Sequence, residues 1–168
     1  MRFNSESSTD NGVRMRLPLL GGCQCGIVRY EIRATPLTVY ACHCTDCQRQ
    51  SASAFSLSMV VPREGVIIVA GSPKEWRRVH QSGRIIDCVL CGDCGVRLFH
   101  KPDRNPKIAI VKPGTLDDTK WLRPVGHIWV RSAQRWFKIP NDTVNYDAQP
   151  PDFTRLIEVW QTDQRIVS

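Results

Sequence analysis

Gly21-Gly22-Cys23-Gln24-Cys25-Gly26 sets a thiol pair in glycine, and a second pair, Cys91-Gly92-Asp93-Cys94-Gly95, follows with Cys91 66 positions after Cys25. Two sulfurs this close along the chain do not easily bridge each other, but they can point to one side of a turn. A glycine directly after the pair lets the backbone bend so that amide N–H groups face the sulfurs. One such pair is a weak signal for a metal. Two pairs facing each other make a closed, tetrahedral four-thiolate site of the structural kind.

Between them lies Cys42-His43-Cys44-Thr45-Asp46-Cys47, three thiols in six residues with no fourth cysteine near. Three protein ligands leave zinc an open position, as in catalytic sites. His43 sits between two ligands, so its side chain is expected to point away from a metal. The residues also allow one zinc plus a set of redox thiols; the clustering favours two metals. Cys88 stands three positions before Cys91 and can replace a ligand there. Within the run Ile85-Ile86-Asp87-Cys88-Val89-Leu90 it reads instead as a small apolar strand residue, the reading adopted here.

The chain around these clusters has 168 residues, 42% hydrophobic and 23% charged, a mix that builds one domain with a core. Its longest apolar run, Val66 to Ala70, is far below the roughly 20 residues of a membrane span. No apolar stretch follows Met1-Arg2-Phe3, so the expected compartment is cytoplasmic and the thiols reduced. The formal charge is +7, but seven thiolates on two Zn²⁺ would remove three of those charges and leave +4. Nucleic acid is therefore not an expected partner.

Residues 1–16 are polar and Ser-rich and read as a disordered arm. From Leu17 on, short apolar runs alternate with turn residues. Val28, Tyr30 and Ile32 alternate with charged residues, and Phe55, Leu57, Met59 and Val61 with serines, the period of half-buried strands. Further strands are expected at Leu37–Ala41, Val66–Ala70, Glu75–His80, Arg84–Val89, Val96–His100, Lys107–Val111 and His127–Val130. So many short strands predict an all-β domain over 17–140. Short helical pieces are expected at Thr45–Ser51 and Ser132–Phe137. In the extension 141–168, Asp152 caps a helix with Phe153, Leu156, Ile157 and Trp160 on one face, packing on the domain or a partner.

Gly22-Cys23-Gln24-Cys25-Gly26 with Val28-Arg29-Tyr30, then Cys42 through Ser51, then Cys91-Gly92-Asp93-Cys94-Gly95 resemble the glutathione-dependent formaldehyde-activating family, which includes centromere-protein-V-like domains. The resemblance runs from about Gly21 to about Ser132 and implies an Mss4-like β-sandwich-type fold with two zinc ions. It assigns Cys23, Cys25, Cys91 and Cys94 to a structural zinc and Cys42, Cys44 and Cys47 to a catalytic zinc. It implies a carbon–sulfur lyase that condenses glutathione with formaldehyde to S-hydroxymethylglutathione, with the small-molecule thiol and an aldehyde as partners. The thiol would bind as a thiolate, and Arg49, two residues past the cluster, is the candidate contact for a glutathione carboxylate. His80, His100 and His127 are given no role. One departure is Ala52, where the family commonly carries glycine; a substrate approaching the backbone there would meet a methyl. The second reading is a non-enzymatic, zinc-stabilised module that binds protein or nucleic acid, for which Trp76-Arg77-Arg78 and Arg135-Trp136-Phe137-Lys138 are candidate surfaces.

Overall fold

The computed structural model describes residues 15–79 and 83–163; nearly all of the N-terminal arm, and His80, lie outside them. In chain order the strands are β1 (Leu19–Gly22), β2 (Arg29–Ile32), β3 (Thr38–Cys42), β4 (Ser56–Pro62), β5 (Val66–Ala70), β6 (Lys74–Val79), β7 (Ile85–Leu90), β8 (Arg97–Pro102), β9 (Ile108–Val111), β10 (Gly126–Ile128) and β11 (Val144–Tyr146). Helix α1 spans Thr45–Ser51 and α2 spans Thr154–Thr162. The strands form a three-stranded sheet, β1-β2-β5, and an eight-stranded sheet in the order β11-β10-β3-β4-β9-β8-β7-β6. Pairing is antiparallel except around β10, which runs parallel to β3 and β11.

The alternation read from the sequence has its physical outcome in one core shared by both sheets. Tyr30 and Ile32 of the small sheet and Met59, Val61, Ala109 and Val111 of the large one are fully buried in one apolar cluster. The architecture is thus the all-β, Mss4-like two-sheet arrangement with short helices. Strands β1 and β11 are not visible in the periodicity: Gly21 and Gly22 carry no side chains to alternate, and β11 is three residues long.

Helix α2 lies on β3 of the same chain. Leu156 and Trp160 are buried, the Thr38 hydroxyl donates to the Leu156 carbonyl at 3.0 Å, and Trp160 meets Trp121 edge to face. Asp152 accepts from the Thr154 N–H at 2.9 Å, one residue outside the observed cap position at Phe153. The helical piece expected at Ser132–Phe137 is absent; a single 3₁₀ turn occupies Val130–Ser132. The backbone there is committed elsewhere. The N–H groups of Ala133 and Phe137 close separate three-residue turns on the Val130 and Gln134 carbonyls, and the Ser132 carbonyl accepts from the Gln48 side chain at 2.8 Å.

Candidate functional site

The turn between β1 and β2 carries Cys23 and Cys25, and the turn between β7 and β8 carries Cys91 and Cys94. The four sulfurs lie within 4.8 Å of one another. Cys23 and Cys25 are 3.4 Å apart and Cys25 and Cys91 3.7 Å. A metal with bonds of about 2.3 Å to four tetrahedral sulfurs spaces them roughly 3.8 Å apart, so the donor set fits such an ion.

Both turns are built alike. The Cys23 N–H donates to Val28 and the Cys91 N–H to Val96, five residues on, while Gly26 and Gly95 sit at φ +79° and +72°. Those left-handed angles are open to glycine at little cost. They let amides face the sulfurs: the Val28 N–H donates to Cys23 Sγ at 3.2 Å, and the N–H groups of Val96 and Cys25 hold the Cys94 thiol down at about 6.

The second cluster forms where β3 ends and α1 begins. Cys42 is the last residue of β3, Cys44 is the N-cap of α1, and Cys47 lies in its first turn, donating its N–H to Cys44 Sγ at 3.4 Å. These three sulfurs also lie within 4.8 Å of one another, with no fourth His, Cys, Asp or Glu in the group among the described residues. Contacts with Cys42 and Cys47, and the N–H groups of Cys47 and Asp46, hold the Cys44 thiol low.

His43 points away from the cluster, as its place between two cysteines suggests. It is fully buried, its Nε2 lies 2.9 Å from His127 Nδ1, and Phe55 and Phe137 pack on its ring. Burial, with His43 adding to it, lowers His127 to about 4. Gln48 ties the segment down by donating to the carbonyls of His43 and Ser132 at 2.7 and 2.8 Å. Cys88 is buried in β7, outside both clusters.

The three-sulfur cluster lines a cavity of about 590 Å³. Its floor is one face of the large sheet. Register pairs Tyr40 with Ser58, His100 with Ile110, and Ile86 with both Pro102 and Arg78, and all of these side chains line the cavity. Arg97 joins them against simple alternation, which would put it with Phe99 on the core side. The ladder shifts between Val89 and Leu90, so that Val89 pairs with Phe99 but Leu90 with Arg97. This bulge at Leu98 re-aims Arg97 into the cavity. Arg97 Nη2 donates to His100 Nδ1 at 2.8 Å, and burial, reinforced by Lys112 and Arg97, keeps His100 neutral. Lys112 lies behind the wall, donating to the hydroxyls of Ser56 and Ser58 at 3.1 and 3.4 Å, its pKa lowered by burial to about 8.

Arg49 is not brought to this cavity. It borders a separate shallow depression with Gln48, Ala52, Gln134 and Trp136. The cavity cations are Arg78, Arg84, Arg97 and Arg104; of these the sequence pointed only to Arg78, as part of a binding surface, and a bulge such as the one that places Arg97 leaves no mark on a hydrophobic pattern. Ala52 also lies away from the cavity. It caps α1 at φ +48°, its N–H donating to the Arg49 carbonyl at 3.4 Å, which accounts for a glycine at this position by backbone conformation rather than by substrate approach. In the Trp76-Arg77-Arg78 surface both arginines are engaged, Arg77 with Asp87 and Arg78 with Asp46. No helix among the described residues is long and apolar enough to cross a membrane.

This is a small two-sheet β protein with two cysteine clusters that could each hold a metal ion, four thiols between two turns and three thiols on a cavity wall. A family model described as glutathione-dependent formaldehyde-activating enzyme matches residues 18–132, more than half of the chain, and the chain belongs to this family. Two relatives carry that same name in provisional form. The one from Colletotrichum graminicola is 26% identical over 92% of this chain and 91% of its own. The one from Talaromyces marneffei is 28% identical over 95% of this chain and 96% of its own. A crystal structure of a Rhodobacter sphaeroides protein shares the fold with a TM-score of 0.50 at 17% identity, covering 76% of this chain and 99% of that one.

Proposed function

We propose that this chain is a zinc-dependent carbon–sulfur lyase, working in the cytoplasm, that joins a small thiol to formaldehyde, with glutathione as the thiol and S-hydroxymethylglutathione as the product. The observation that carries the reading is the difference in ligand number: three sulfurs on a cavity wall against four in a closed turn pair. Cys23, Cys25, Cys91 and Cys94 would hold the structural ion, and Cys42, Cys44 and Cys47 would hold the other. A zinc ion on three cysteines would supply the positive charge that keeps an incoming thiol ionised at neutral pH.

The chain's own residues do the rest. The thiolate sulfur adds to the carbonyl carbon, the carbon–sulfur bond forms as the C=O π bond opens, and the oxygen takes up a proton. The cavity holds the thiol beside the cluster, with Tyr40, Ile110 and Ile128 as apolar wall and arginines as cationic wall. Lys112, donating to Ser56 and Ser58, stands near Cys42 and Cys47, whose negative charge opposes the lowering of its pKa by burial. Three thiolates give a zinc site about one net negative charge, which suits activation of sulfur better than polarisation of the aldehyde.

The test is titration of zinc-loaded protein with glutathione at pH 7. Binding should release close to one proton per thiol, because the thiol must ionise, and added formaldehyde should then accelerate S-hydroxymethylglutathione formation over the uncatalysed rate. Absence of thiol binding at millimolar glutathione would overturn the reading and favour the zinc-stabilised binding module, for which the exposed Trp76 and Trp136 offer surfaces.

A further inference from the structure

The cavity beside Cys42, Cys44 and Cys47 contains guanidinium donors with nothing to donate to. Arg97 Nε and Nη1 and Arg78 Nε are all buried without a hydrogen-bond partner. A buried unpaired donor costs about 1–3 kcal/mol, more when charged, and both residues line the same cavity. Their remaining hydrogen bonds orient them: Arg97 Nη2 is held by His100, and Arg78 Nη1 by Asp46 at 2.7 Å.

The acidic residues on the wall leave these donors unanswered. Asp46 already serves Arg78 through a different nitrogen, and Asp103 accepts from the Arg104 N–H at 2.8 Å. Burial disfavours the Arg97 charge and the like charge of Arg78 adds to this, while Cys88 and Cys47 nearby favour it. A planar acceptor anion is the partner that satisfies a guanidinium fork through two parallel bonds.

We propose that Arg97, with Arg78, forms a carboxylate-binding subsite in this cavity, so that the thiol taken by the three-cysteine cluster is one that carries a carboxylate. The bulge at Leu98 is then a specificity device, since without it Arg97 would face the core. This inference rests on the thiol reading above. The competing role for Arg97 is general compensation of the thiolate charge of the cluster, which would act on every thiol alike.

The experiment uses the full, zinc-loaded chain and calorimetric titration with 3-mercaptopropionate and 2-mercaptoethanol, compared at equal thiolate concentration, and with succinate, which has no thiol. Mercaptopropionate should bind roughly ten- to a hundredfold more tightly than mercaptoethanol, the range expected for charge-assisted hydrogen bonds. Arg97→Gln should remove that preference while moving mercaptoethanol less than about twofold, and Arg97→Lys should lose most of it because the fork is gone. A wild-type protein with no preference, or an Arg97→Gln variant that weakens both thiols equally, overturns the subsite. If no thiol binds, the thiol reading falls and succinate decides: binding that Arg97→Gln abolishes supports the subsite, and no succinate binding overturns it. Should Arg97→Gln fail to fold, Arg78→Gln and Arg97→Lys carry the same comparison.

Discussion

The two cysteine clusters use the same side chain in opposite ways. Cys23 and Cys25 reach Cys91 and Cys94 across the chain, and each pair sits in a turn whose amides and left-handed glycine aim the sulfurs inward. Cys42, Cys44 and Cys47 belong to one strand-to-helix junction and are gathered by local geometry alone. The first cluster joins the β1–β2 turn to the β7–β8 turn, so a metal there closes a long loop and ties the two sheets. A metal on the second closes only short loops. That junction has its own anchors, the buried His43–His127 pair and the two hydrogen bonds donated by Gln48. On the proposed function, ligand number and loop length, not residue type, would separate a strut from a reactive site.

The comparison breaks most visibly in stability. Structural zinc contributes about 10–16 kcal/mol in small peptides, and a whole domain is stable by only about 5–15 kcal/mol. Cys91→Ser should therefore abolish cooperative folding, whereas Cys47→Ser should leave a folded protein with one zinc in place of two and no thiol binding. Thermal melting with metal analysis on both variants checks this. Equal, large losses would make the second cluster a strut as well.

A second test asks whether the junction is held by its own contacts. His127 is lowered to about 4 by burial and by His43, from an ordinary value of 6.5. The unfolded chain therefore binds the extra proton first, and stability falls as pH drops from 6.5 through 4, by up to about 3 kcal/mol for this group. His127→Gln keeps a polar partner for His43 but cannot titrate. Its denaturation midpoint should lose less than that of the wild type between pH 7 and pH 4.5. Identical acid sensitivity in the two proteins would remove the pair from the account.

The smallest effect concerns the end of α1. Ala52 adopts φ +48°, a region an L-residue occupies at a cost. Ala52→Gly should raise stability by about 0.5–1 kcal/mol, the strain relieved less the added unfolded-state entropy, without changing thiol affinity, because Ala52 lies outside the cavity. Chemical denaturation and a repeat of the thiol titration read both halves.

Much of this molecule was settled by features short enough to lie within one turn or strand. Alternation at Tyr30 and Ile32 or Met59 and Val61 marks a face because side chains on a strand point alternately up and down. The run from Thr45 to Ser51 forms a helix with the bounds its residues indicate, and a glycine after each cysteine pair marks a turn because few other residues accept its φ. What no local pattern carries is which segments meet. The bulge that turns Arg97 into the cavity arises from register between β7 and β8. The pairing of His43 with His127 depends on β10 lying beside β3, 84 residues apart in chain position. Arg49 follows the three cysteines by only two residues yet faces a different depression, because a helix rotates each successive side chain by about 100°. The sequence by itself determined most of the strands, the cysteine turns and the thiols; tertiary packing decided which cations meet those thiols, because register and sheet order are properties of contacts between distant segments.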